Sequence, residues 1–223
     1  MSRGLGDVYK RQMAGIQEVY ALVEKGKAKV IANAVQEALD AGCDPTEILN
    51  DGMIKAMDAV GEKFKNGEIF VPEMLVAARA MKKGVEVLKP HLATGAAGAA
   101  GKVIIGTVAG DLHDIGKNLV SMMLESAGFE VIDLGVDVPK EKFVEAYEAN
   151  PDTKIICCSA LLTTTMPALK DAVALINEAS FRPNVKVMVG GAPITQAFAD
   201  EIGADAYTED AASCAKKARE LAA

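Results

Sequence analysis

The chain of 223 residues has no tryptophan, few aromatic residues (4%) and two histidines, His91 and His113. Single-stranded nucleic acids are bound on aromatic stacking platforms, so this composition disfavours that class of protein. The net charge of −7 argues against a basic surface for nucleic acid or for membranes. We expect a core of Ala, Val, Ile, Leu and Met, which suits helices packed on a buried parallel sheet.

The four cysteines, at positions 43, 157, 158 and 214, form no C-x-x-C pair. A disulfide framework or a zinc site is therefore not expected, and reduced thiols in a cytoplasmic protein fit better. No uncharged apolar run reaches the roughly 18 residues that span a bilayer. The segment Met1–Gln12 also lacks the apolar centre of a signal peptide.

Changes of pattern along the chain predict its domain organisation. Residues 1–13 do not join the helical periodicity that follows, so we expect a non-native leader or a disordered tail. Residues 14–91 contain four apolar stripes at helical spacing, which predicts a four-helix bundle. Residues 92–101 are rich in Ala and Gly and have no charge, which indicates a flexible linker.

The remaining residues, 102–223, predict an α/β domain. Five short apolar runs alternate there with five amphipathic segments. This alternation is typical of a doubly wound parallel sheet, here a five-stranded one of the flavodoxin or Rossmann-like kind. Such sheets bind ligands at the carboxyl ends of their strands, where the strand order reverses.

Chemically distinctive residues follow three of the predicted strands. Asp111, His113 and Asp114 follow the first, residues 159–165 the third, and Gly190-Gly191 the fourth. His113 could offer one ring nitrogen to a metal while the other donates to Asp111. A lone histidine cannot build a tetrahedral zinc site, so a metal here needs a prosthetic group with its own ligands, such as a tetrapyrrole-type ring.

Each of these residues also has a simpler interpretation. His113 could be an ordinary surface residue, and Asp111 or Asp114 could cap the following helix. Thr165 could cap the next helix along the chain, and Gly190-Gly191 could form a common turn. The occurrence of three such features at three matching strand ends favours a single shared site.

The composite pattern resembles the cobalamin-binding signature of corrinoid proteins. It consists of Asp111-x-His113-x-x-Gly116, 42 residues, Ser159-x-Leu161, 28 residues and Gly190-Gly191. The segment from Gly67 to Leu75 is similar to the helical cap of the methyltransferase branch. The resemblance covers residues 14–223 and is closest to the corrinoid proteins of methylamine and methanol methyltransferase systems. The cobalamin-binding region of methionine synthase is more distant.

The resemblance implies a cofactor and a site. The cofactor is cobalamin or a related corrinoid, which alternates between methylcobalamin and cob(I)alamin, with His113 as the cobalt ligand. Asp111, His113 and Thr165 form the implied catalytic relay. The implied cofactor-binding residues are Asp111, His113, Asp114, Ile115, Gly116, Ser159, Leu161, Thr163, Gly190 and Gly191, together with Phe70 and Met74 of the cap.

The implied function is that of a methyl carrier in methylamine or related one-carbon metabolism, a subunit with little catalysis of its own. A substrate-specific methyltransferase would methylate the cobalt, and a second methyltransferase would pass the methyl group to a thiol or tetrahydrofolate. A reductive activase is a further expected partner. Two alternatives stay open: a cobalamin-dependent sensor, or the small subunit of an adenosylcobalamin mutase.

Overall fold

A computed structural model describes residues 3–88, 90–91 and 100–223. The chain divides into two compact units, Met1–Ala99 and Ala100–Ala223. The expected linker, residues 92–101, lies almost entirely outside the described residues. Within the part of the chain that is described, no helix has the length and apolar character needed to cross a membrane.

The first unit is helical, as its four apolar stripes predict. It contains α1 (Arg3–Glu24), α2 (Ile31–Asp40), α3 (Pro45–Glu47), α4 (Lys55–Lys65) and α5 (Val71–Leu88), and a π-helical stretch (Ile48–Ile54) joins α3 to α4. The apolar stripes form its core, in which Val19, Ile31 and Met53 are fully buried.

The beginnings of two helices show how local sequence sets their limits. Asp44 caps α3, because its carboxylate accepts the main-chain N–H groups of Thr46 at 2.8 Å and Glu47 at 3.2 Å. Helix α1 begins at Arg3 and continues through Met13, although the segment before Met13 has no helical periodicity; a non-native origin of residues 1–13 stays a prediction. That segment contains no proline to stop a helix, and the Gln12 side chain donates to the carbonyl of Gly42 at 2.8 Å.

The second unit is the predicted α/β domain with a five-stranded, all-parallel sheet. Its strands are β1 (Lys102–Thr107), β2 (Glu130–Asp133), β3 (Thr153–Ser159), β4 (Lys186–Gly190) and β5 (Ala206–Tyr207), in the order β2-β1-β3-β4-β5. Its helices are α6 (Ile115–Ser126), α7 (Lys140–Ala149), α8 (Met166–Glu178), α9 (Gln196–Ile202) and α10 (Ala211–Ala222). Both the fold class and the alternation of elements are confirmed.

The strand order locates the site. The chain runs outward from β1 to β2 and then crosses back to β3, so the order reverses between β1 and β3. In doubly wound sheets a crevice opens at such a reversal, beyond the carboxyl ends of the strands. The register pairs Thr107 with Ser159 and Ser159 with Gly190, which sets the ends of β1, β3 and β4 side by side.

Candidate cofactor-binding site

Asp111 is the centre of the site and is completely buried. Its Oδ1 accepts the main-chain N–H of His113 at 3.1 Å and lies 2.7 Å from His113 Nδ1. Its Oδ2 accepts the N–H of Leu161 at 2.7 Å and the hydroxyl of Thr165 at 2.8 Å. Four donors therefore surround one carboxylate, and they come from the loops after β1 and β3.

The protonation state of Asp111 follows from this arrangement. Burial raises the pKa of a carboxyl group, but here the hydrogen bonds from Leu161, His113 and Thr165 outweigh burial. They hold the pKa of Asp111 well below its usual range. Asp111 is therefore a permanent carboxylate that accepts hydrogen bonds and donates none.

His113 is oriented by this carboxylate. Because Asp111 can only accept, the proton of a neutral His113 ring lies on Nδ1, and Nε2 keeps its lone pair. The main-chain carbonyl of His113 accepts the Thr107 hydroxyl at 3.0 Å, which fixes the other side of the residue. The side chain is 50% exposed, so the imidazole presents Nε2 away from the buried carboxylate.

The simpler interpretations of Thr165 and Asp114 are not supported. Thr165 stands at the N-terminus of α8, but its side chain makes no capping bond to that helix. Its hydroxyl turns to Asp111 instead, at 2.8 Å, and a charged acceptor makes that the stronger of its available bonds. Asp114 precedes α6 without a side-chain cap and accepts the Asn118 amide at 3.2 Å.

The three glycines of the motif have different roles. A Cβ on Gly191 would lie 1.8 Å from the carbonyl oxygen of Ala160, and its φ of +128° is itself unfavourable for other residues. Gly191 is therefore required by the protein's own backbone. A Cβ on Gly116 would meet no atom within 4 Å, and one on Gly190 would meet only a carbonyl at 3.7 Å. Those two positions border space that the chain does not fill.

Large apolar side chains are exposed beside His113. Leu112 is 73% exposed and Ile115 is 84% exposed, although soluble domains normally bury such residues. Leu161 and Leu162, in the loop after β3, are also exposed, as is Thr163, while Ser159 is half-buried. The surroundings of the imidazole are therefore an apolar surface with hydroxyl groups at its edge.

The two candidates in the helical unit differ from each other. Phe70, just before α5, is 69% exposed, so its ring is available for contact. Met74 is completely buried and lies among the core residues of its own unit. Burial supports the core interpretation of Met74, and a cofactor contact by Phe70 stays a prediction.

Four residues at or near the site were missed by sequence reasoning. Thr107 holds His113, and buried Lys117 pairs with Asp133 at the end of β2. Asp137 contacts the segment before His113. One signal was available: Asp133 and Asp137 flank Gly135 directly after the strand next to β1, at the same edge of the sheet.

The described side chains do not form a metal centre by themselves. Among the described residues, no group of three or more His, Cys, Asp or Glu side chains is placed to hold a metal ion. One imidazole with a free Nε2, an apolar surface around it and open space at Gly116 fit a large metal-containing ring that supplies most of its own ligands.

Comparisons with known proteins agree with this description. Two B12 binding domain families match, one over residues 101–215 and one over residues 16–89. The chain is 48% identical to dimethylamine corrinoid protein 1 of Methanosarcina acetivorans, over 93% of this chain and 97% of that protein. It is 46% identical to trimethylamine corrinoid protein 2 of the same organism, over 92% and 97%. The methanol:cobalamin methyltransferase complex of Methanosarcina barkeri matches with a TM-score of 0.76 and 30% identity, over 94% and 80%.

Proposed function

Because the chain belongs to the B12-binding corrinoid proteins, the family of the dimethylamine and trimethylamine corrinoid proteins, we propose that it is the methyl-carrying subunit of a methyltransferase system. The observation that carries this proposal is the Asp111–His113 pair. A carboxylate 2.7 Å from Nδ1 fixes the tautomer in which Nε2 is the free ligand atom.

His113 is the proposed protein ligand that would hold the cobalt of a bound corrinoid. A bound corrinoid supplies a cobalt centre that accepts a methyl group from one partner and gives it to another. The chain fixes the position of the imidazole. Because Asp111 accepts the hydrogen bond of Nδ1–H, the lone pair of Nε2 becomes a better ligand for a metal. The Thr165 hydroxyl completes the relay by fixing the Asp111 carboxylate at 2.8 Å.

The wider cofactor surface consists of residues at the strand ends and in the adjoining loops. We assign the ring to the apolar surface of the loop before α6, and the nucleotide tail to the open space at the ends of β3 and β4. The residues assigned are Asp114, Ile115, Gly116, Ser159, Leu161, Thr163, Gly190 and Gly191. The open space at Gly116 and the exposure of Ile115 support this assignment.

The partners are proposed from the chemistry of a carrier. One methyltransferase specific for a methylamine would load the chain, and a second would unload it to a thiol or tetrahydrofolate; a reductive activase would restore the cofactor after oxidation. The names of the two corrinoid relatives support an amine as donor. A cytoplasmic location completes the proposal, and the buried free thiols of Cys43, Cys157, Cys158 and Cys214 support it.

Reconstitution tests the cofactor and its ligand. The apoprotein is loaded with hydroxocobalamin, and its visible spectrum is compared with those of His113→Ala and of the matched control His91→Ala. His91 belongs to the helical unit and to no part of the signature motif, so that variant should bind cobalamin with an unchanged spectrum. His113→Ala should have a shifted spectrum. Failure of the wild-type chain to bind cobalamin would contradict the proposal, and identical spectra would contradict only the ligand assignment.

Methyl transfer tests the carrier function. The reduced, cobalamin-loaded chain is offered monomethylamine, dimethylamine, trimethylamine or methanol, each together with a methyltransferase specific for that donor. We expect the visible spectrum to change to that of the methylated cofactor with an amine. A response to methanol alone would overturn the choice of donor, and no response with any pair would overturn the carrier function.

A further inference from the structure

Asp137, in the loop after β2, has an unusual backbone conformation. Its φ is +53°, and it is the only non-glycine residue with a positive φ among the described residues. The left-handed region is unfavourable for an L-residue, although Asp and Asn tolerate it better than most. Strained residues persist where surrounding contacts fix them, and they concentrate at functional sites.

The contacts of Asp137 lead directly to the residues before His113. Its Oδ1 accepts the main-chain N–H of Gly110 at 2.7 Å, and its own N–H donates to the carbonyl oxygen of Asp111 at 2.9 Å. Asp137 therefore holds the Gly110–Asp111 dipeptide at both ends. The next residue, Val138, is buried and donates to the carbonyl of Thr107 at 2.9 Å, which ties this loop to β1.

Together with the contacts of Asp137, hydrogen bonds from three other residues fix the position of the His113 imidazole. Leu161 and Thr165 fix the Asp111 side chain, and the Thr107 hydroxyl fixes the carbonyl of His113. Asp137 fixes the main chain from which the Asp111 carboxylate projects. We propose that Asp137 is a positioning residue for His113, because its hydrogen bonds to Gly110 and Asp111 set the direction in which Nε2 points. This inference rests on the proposed ligation of cobalt by His113.

Loss of the Asp137 carboxylate should change the direction in which His113 Nε2 points more than it changes the stability of the fold. The side chain is exposed, so water can satisfy the Gly110 N–H when the carboxylate is removed. The loop then loses its preferred orientation without leaving a buried group unpaired. Asp137→Gly removes the acceptor and still permits the positive φ, so it separates the hydrogen bond from the backbone strain. Asp137→Asn keeps both an Oδ1 acceptor and tolerance of that φ.

Paramagnetic resonance of the cob(II)alamin-loaded protein tests the inference at one fixed pH. In protein prepared with nitrogen-15 histidine, a doublet superhyperfine splitting reports the fraction of cobalt that is bound to the His113 imidazole, because the unlabelled benzimidazole nitrogen of the cofactor gives a triplet instead. Wild type should show this splitting and His113→Ala should lack it. Asp137→Gly should lower the ratio of His-ligated to unligated cobalt about three- to tenfold, as expected for one lost hydrogen bond. Asp137→Asn, which keeps a weaker neutral acceptor, should give an intermediate ratio, about twofold below that of wild type.

Asp205→Gly provides the matched control in the same unit. The Asp205 carboxylate accepts the main-chain N–H of Val187 at 2.7 Å, near the amino end of β4 and away from His113. It should lower the melting temperature and leave the splitting unchanged. An unchanged splitting in Asp137→Gly, with wild type and His113→Ala clearly different, would overturn this inference alone. Equal spectra of wild type and His113→Ala would show instead that the ligand assignment is wrong.

If Asp137→Gly does not fold, Asp137→Asn provides the test. Its neutral amide oxygen binds the Gly110 N–H more weakly than the carboxylate does, so a positioning role predicts a lower ratio of His-ligated cobalt. A His-ligated ratio about twofold below that of wild type would support the positioning role. A ratio equal to that of wild type would contradict it.

Discussion

Substitution of Gly116 by alanine separates a role in ligand binding from a role in the fold. Gly116 is the second residue of α6, and a Cβ there would meet no atom within 4 Å. The apoprotein should therefore accept alanine without strain. Because alanine is favoured over glycine in helices by about 0.5–1 kcal/mol, the free energy of unfolding should be unchanged or slightly raised.

Cofactor binding should respond in the opposite direction. If the corrinoid occupies the space beside Gly116, the added methyl group must displace it or the loop. Overpacking of a fitted contact costs roughly 1–3 kcal/mol, which corresponds to a Kd about 5- to 150-fold higher. The assays are thermal unfolding of the apoprotein and titration with hydroxocobalamin followed by visible absorbance.

Gly191→Ala is the matched contrast. Its Cβ would lie 1.8 Å from the Ala160 carbonyl, which belongs to the backbone and cannot turn aside, and its φ is +128°. This variant should lose roughly 3 kcal/mol or more of stability before any ligand is added. Wild-type affinity in Gly116→Ala would refute the assignment of that residue to the cofactor surface. Equal stability losses in the two variants would refute the distinction between their roles.

Three further predictions concern the network around His113. Thr165→Ala should lower the free energy of unfolding by about 1–3 kcal/mol in urea titrations, and Thr165→Ser by much less, because serine keeps the hydroxyl bonded to Asp111. Because the folded pKa of Asp111 lies below the unfolded value of about 3.9, its contribution to stability is present above that pH and is lost as the pH falls toward the folded pKa. The melting-temperature difference between the wild-type apoprotein and Asp111→Asn should therefore shrink as the pH is lowered below about 4. Asp133→Ala should destabilise the protein more than Lys117→Met in the same urea assay, since the Lys117 side chain is 2% exposed and that of Asp133 is 39% exposed, so only the lysine would remain as a buried unpaired charge.

The sequence contained enough local information to define the elements of both units. The Asp44 cap and the apolar stripes around Ile31 and Met53 act within a few residues, so the pattern alone locates these helices. The five apolar runs of the second unit likewise predicted every strand of the sheet. Helix α1 begins at Arg3, because nothing in the polar segment before Met13 stops a helix, although that segment carries no periodicity that predicts one.

The identity of the candidate site also came largely from sequence, because residue types at fixed spacing follow strand ends. That pattern, together with the resemblance it carried, pointed to the B12-binding corrinoid proteins, and the relatives confirm this family. It also named Thr165 as a relay member, although a helix cap was an equally open interpretation. Only the fold brings the Thr165 hydroxyl to 2.8 Å from Asp111, across 54 positions of the chain, which disfavours the helix cap; the relay role of Thr165 stays a prediction.

The tertiary structure alone decided the roles of the remaining residues. Gly116 and Gly191 look alike in the sequence, but one borders open space and the other faces a carbonyl oxygen of its own chain. Asp137 lies 24 positions after His113, and its hydrogen bond to Gly110 forms only because β2 pairs beside β1. The physical reason is that periodicity and capping act over a few residues, whereas hydrogen bonds between loops depend on strand order and register.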